Sequence, residues 1–160
     1  MPVSNKEKYR ACNQRWGDFD SEYYIMLNAV DRLKELLEEH YGSLYKASQE
    51  LGYHKTYLSK QLSTLCACPR VMTIKRLCKA VNCSINYAVL GQGNRTYQDC
   101  TGTFNNFLHL YKENYKYKRH KSLDVAITNF KHNRINNIPL KYLIRIAREQ
   151  NVTIDWLVGG

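Results

Sequence analysis

The chain has 160 residues, room for one ordinary domain or two small ones. Hydrophobic residues make up 44%, but 13 residues are Tyr, whose polar tips stay in water, so the composition supports folding without a thick dry interior. Lys plus Arg is 24 against 14 acids, a net charge of +10 that attracts polyanions, nucleic acid first, and no run of eighteen apolar residues offers a membrane span.

Residues 1–18 read as a basic N-terminal arm without the apolar stretch of a secretory signal, which places the protein in the cytoplasm, away from membranes. Asp20 can cap a long helix whose apolar residues Tyr23, Leu27, Val30, Leu33 and Leu37 recur every three or four positions, closed by Gly42. Ser43 can cap a short second helix with Leu44, Ala47 and Leu51 on one face, and Gly52 breaks it. A third helix runs from His54 to about Leu65 with Leu58 and Leu62 inward. After Cys68 and Pro69 a fourth spans Thr73 to Val81 and buries Ile74, Leu77 and Cys78; a short fifth begins near Ser84 and buries Ile85 and Val89 or Leu90. Residues 92–102 hold Gly93 and Gly102 and little apolar periodicity, and read as a linker. Beyond it, Thr103 to about Asn114 places Phe104, Phe107, Leu108 and Tyr111 at helical spacing. A basic helix falls on Tyr115 to Lys121, and Ser122 to about Lys131 turns Leu123, Ala126, Ile127 and Phe130 inward. No run alternates with period two, so the predicted class is all-α.

The chain rhymes with itself. Asn82-Cys83-Ser84-Ile85-Asn86-Tyr87-Ala88-Val89-Leu90-Gly91 returns 69 residues later as Asn151-Val152-Thr153-Ile154-Asp155-Trp156-Leu157-Val158-Gly159-Gly160. The same shift pairs Leu58 with Ile127, Ile74 with Leu143 and Lys79 with Arg148. A duplicated unit explains this, with one domain at 19–91 and a second at 103–160.

The richest stretch is Ala47-Ser48-Gln49-Glu50-Leu51-Gly52-Tyr53-His54-Lys55-Thr56-Tyr57-Leu58-Ser59. A small residue at Ala47 lets two helices approach, Gly52 supplies a positive φ for a sharp turn, and Leu58 anchors the following helix. That is the pattern of a helix-turn-helix, whose second helix fits a DNA major groove. Together with Pro69-Arg70-Val71-Met72-Thr73-Ile74-Lys75-Arg76-Leu77-Cys78 and the ending Ile154-Asp155-Trp156-Leu157, it resembles the phage Cro and lambda-repressor type of helix-turn-helix domain, in two tandem copies of which the second is degenerate. The resemblance implies five-helix units whose third helix reads double-stranded DNA, commonly in homodimers, and hence a transcription regulator, expected to be a repressor.

Carried over to this chain, the resemblance assigns Lys55, Thr56, Ser59 and Lys60 to the groove and Ser43 to a backbone phosphate. His54 stands where the family has a small capping residue. In the second copy the matching positions are Asp124, Val125, Thr128 and Asn129, and an acid there would repel phosphate. Thr128 and Asn129 are therefore weaker DNA candidates, and the cationic run Lys116, Lys118, Arg119 and Lys121 is a candidate grip on phosphates. Tyr45, Tyr53, Tyr57, Tyr111, Tyr115 and Tyr117 read as half-buried core residues rather than base-stacking platforms, and Trp156 as a core plug.

The six cysteines, Cys12, Cys66, Cys68, Cys78, Cys83 and Cys100, form no C-x-x-C pair and read as free thiols, with no metal and no cofactor. No nucleophile, P-loop or zinc-protease motif is present, so an enzyme is not expected. The alternatives to DNA binding are a protein-interaction module of the same fold, such as an antitoxin or antirepressor, and an RNA-binding protein.

Overall fold

A computed structural model describes residues 19–63, 69–114 and 121–160. These residues are all-helical, without strands: α1 Asp20–Tyr41, α2 Leu44–Glu50, α3 Tyr57–Gln61, α4 Val71–Ala80, α5 Ile85–Leu90, α6 Asn105–Asn114, α7 Lys121–Lys131, α8 Leu140–Gln150 and α9 Ile154–Val158.

Local chemistry explains most of the boundaries. Ser43, Ser84 and Thr153 cap α2, α5 and α9, each side-chain oxygen accepting the amide three residues on. Gly42 ends α1 at φ +91, a backbone shape that side chains resist. At the start of α1 the expectation differs from the fold: Phe19 takes the N-cap position without a side-chain cap, and Asp20 lies in the first turn. There its charge still faces the positive end of the helix dipole. The third helix is shorter than the sequence pattern suggests, because the chain stays in a turn until Thr56. Residues 64–68, which hold Cys66 and Cys68, lie outside the described residues, as do Cys12 and the N-terminal arm.

The core is continuous across both predicted units. On α1, Tyr23, Met26, Val30, Leu33 and Leu37 are buried, while Leu27 is half-buried. Helix α1 packs on α2, α5 and α8; α6 and α8 pack on α9, and α5 packs on α9. Burying one such Leu contributes roughly 1.5–3 kcal/mol. In the second half Phe104, Phe107 and Tyr111 repeat the spacing of Val30, Leu33 and Leu37. Trp156 is a correction to the sequence reading: it is 43% exposed. The inward stripe of α9 is Ile154, Leu157 and Val158, and residue 156 falls off it.

The 69-residue shift reappears in the backbone. Asn82 and Asn151 follow α4 and α8 with φ of +53 and +52. Val71 and Leu140, Ile74 and Leu143, Leu77 and Ile146, and Ile85 and Ile154 are buried in pairs. Upstream the shift fails. Gly52, at φ +79 in the turn before α3, corresponds to Lys121, the first residue of α7. The second half therefore has helix where the first has its turn.

Candidate nucleic-acid interface

The corner between α2 and α3 is held by a buried hydroxyl. Ser48, fully buried, accepts the Leu58 amide at 3.2 Å, tying the first turn of α3 to the body of α2. The Tyr53 amide donates to the Ser48 carbonyl at 2.8 Å, and the Gly52 amide to Gln49 at 3.1 Å, so the turn is satisfied from within. His54 braces the turn before α3 rather than capping the helix, whose N-cap, Thr56, carries no side-chain cap. Its Nδ1 accepts the Thr56 amide at 3.3 Å and lies 3.0 Å from the Thr56 hydroxyl, which fits a proton on Nε2.

A second brace comes from α4. The Arg76 guanidinium donates to the Leu51 carbonyl and lies 4.5 Å from the Tyr53 ring centroid, and Tyr53 stacks on Tyr57 at 4.3 Å. These two tyrosines are half-buried, as expected, whereas Tyr45 is 50% exposed. Sequence reasoning missed Arg76; its signal was a cation on α4 between Ile74 and Leu77 of the buried stripe.

With Leu58 and Leu62 buried, the other side of α3 faces outward. Lys55, Ser59 and Lys60 are exposed and Thr56 is half-buried. Ser43 sits apart from this face as the cap of α2, its Oγ accepting the Lys46 amide at 3.1 Å. Its lone pair is therefore committed, and an anion there would meet the hydroxyl proton and the remaining free amides. Between Ser43 and Gln98 the sequence carries one acid, Glu50, against eight Lys and Arg, whereas α1, which packs on α2, carries Glu35, Glu38 and Glu39.

The equivalent positions of the second half are arranged differently. Asp124 is half-buried and accepts the Tyr111 hydroxyl at 2.6 Å, so it joins α7 to α6 rather than standing free on a groove face. Thr128 donates back to the Asp124 carbonyl within its own helix, and Asn129 receives Arg134 at 3.4 Å. Lys121 is exposed at the start of α7. Lys116, Lys118 and Arg119 lie outside the described residues.

Cys78 and Cys83 are buried. Proximity to Cys83, and then burial, pushes the Cys78 thiol far above its ordinary range. Both sulfurs approach the Ser84 carbonyl, at 3.8 and 3.3 Å. Among the described residues no group of three or more His, Cys, Asp or Glu side chains could hold a metal ion, and no helix is long and apolar enough to cross a membrane.

No family model, no curated protein and no solved structure matches this chain.

Proposed function

We propose that the protein is a sequence-specific double-stranded DNA-binding regulator that inserts α3 and its preceding turn into the major groove, and that it acts as a repressor by occupying a promoter. The observation that carries this reading is the corner itself. Gly52 and the buried Ser48 tie fix a turn and a short helix that together offer Lys55, Thr56, Ser59 and Lys60, in a chain of net charge +10. Lysines can donate to guanine or to phosphate, and the hydroxyls can meet base edges or phosphates.

Selection of bound duplexes from a random library tests it. The expected result is an enriched motif whose affinity falls with salt by about 0.9 log units per log unit for each phosphate neutralised. Neutralising Lys118 and Arg119 should lower that slope while leaving the chosen sequence unchanged. Retention of single-stranded RNA loops in preference to duplex, or binding indifferent to salt, would overturn the proposal.

A further inference from the structure

The two halves meet through a reciprocal exchange. Asp155 of α9 accepts the amides of Ile85 and Asn86 at 2.9 and 2.8 Å, and Asn86 of α5 accepts the amide of Ile154 at 3.0 Å through its side-chain oxygen. Under the 69-residue shift Asn86 corresponds to Asp155, and Ile85 to Ile154. Each half thus uses the same position to hold the same helix end of the other. Contact of i with j matched by contact of j with i is the mark of a two-fold interface.

A second place in the fold also brings equivalent residues to one cleft. A cleft of about 420 Å³ is lined by Pro69, Arg70 and Val71 and by their 69-shifted equivalents Ile138, Pro139 and Leu140. Beside it the Met72 amide at the start of α4 donates to Asn137 of the other half at 2.9 Å. Equivalent residues therefore exchange bonds at the starts of α5 and α9 and line one cleft at the starts of α4 and α8.

The exchange is also uneven in charge. A symmetric pair of chains joined through α9 would set Asp155 against Asp155. Here an amide, Asn86, holds the opposing place, so one carboxylate receives two N–H groups and meets no second anion. Asp155 and Asn86 are 6% and 8% exposed, which closes these helix ends to another copy.

We propose that the chain is its own dimer: a single chain, with two-fold-related but unlike halves, occupies one DNA element, and only one half of that element is read base by base. The second part rests on the DNA-binding reading above. A two-fold pair of third helices addresses two half-sites. The α3 side presents Lys55, Ser59 and Lys60, whereas on α7 Asp124 is tied to Tyr111 and Thr128 to its own helix. The element is accordingly non-palindromic.

Two measurements test the two parts separately. Light scattering of the free chain at rising concentration should give the mass of one chain throughout; a concentration-dependent dimer would overturn the built-in pairing, whatever the protein binds. Native mass spectrometry on duplexes selected from the random library should give one chain per duplex and a motif specified in one half. Two chains on a palindrome would overturn the asymmetric-element proposal. If no duplex is retained, the DNA reading and the element fall together, while scattering still decides the pairing. As an internal check, Asn86→Asp should speed amide exchange at Ile85, Asn86 and Ile154, and Asp155→Asn should leave the mass of one chain unchanged. Unaltered exchange in the first variant, or dimerisation of the second, would count against the pairing.

Discussion

Helices α4 and α5 of the first half and α8 and α9 of the second agree down to their left-handed asparagines and their serine and threonine caps, whereas the segments before them diverge. The first half has a seven-residue helix, a glycine turn and a five-residue helix; the second has the eleven-residue α7 running through the position of that turn. The shared part is where the halves press together, and there every buried amide needs an acceptor. Of the divergent part, the α2–α3 corner presents Lys55, Ser59 and Lys60 outward, while the start of α1 crosses to α8. The joint, where buried amides and carbonyls must find partners, is thus the part the two halves share.

The asymmetry of the joint can be broken first. Asp155→Ala removes the acceptor of two buried amides and should cost about 3 kcal/mol, while Asn86→Ala removes the acceptor of one and a donor to the Gln92 carbonyl and should cost about 2 kcal/mol. Urea unfolding of both variants checks this, and equal losses would contradict the uneven sharing.

The next largest effect tests a contact that only the first half supplies. The start of α1 reaches across to α8, where Arg145 meets Glu22 through Nε and a terminal nitrogen at 3.0 and 3.3 Å and covers Phe19 at 3.6 Å. Burial by itself pushes the Glu22 carboxyl up, but Arg145, the residue's own amide and Ser21 together hold it below the ordinary carboxylate range. Glu22→Gln should cost about 2 kcal/mol near neutral pH, between the values for exposed and buried pairs. Because the folded-state value is depressed, this contribution is present above the unfolded carboxyl range and is lost as pH falls through the folded value. The difference in urea midpoint between wild type and variant should therefore shrink on acidification.

The outward faces give the next comparison. Lys55→Ala should weaken the best selected duplex by about 1–2 kcal/mol and relax the preference at particular base pairs. Asp124→Ala should leave the preference unchanged and lower stability instead, because the Tyr111 hydroxyl loses its acceptor. Competition binding on a panel of point-mutated duplexes, with parallel melting curves, separates the two.

The smallest effect compares the caps. Ser84→Ala should cost about 1 kcal/mol and Thr153→Ala somewhat less. The Ser84 hydroxyl also donates to the Asn94 carbonyl at 2.5 Å, pinning the linker against α5, a bond that Thr153 lacks.

Features set by a few neighbouring residues could be read from the chain alone. The spacing of Val30, Leu33 and Leu37, the cap at Ser43, the helix start near Ser84, the glycine breaks at Gly42 and Gly52 and the 69-residue rhyme were all legible. Even the exposure of Trp156 was available from the stripe formed by Ile154, Leu157 and Val158, once helical position is given more weight than residue type. The length of α3 was not, because the Ser48 tie and the Arg76 brace that define its turn come from other helices. Nor were the partners of Asp155, Asp124 and Glu22. Asp155 answers amides about seventy positions away, and Glu22 an arginine more than a hundred away. A carboxylate in a sequence carries its charge and its helical position, but which donor it meets is settled only when packing brings distant helix ends together and burial leaves it no water to choose instead.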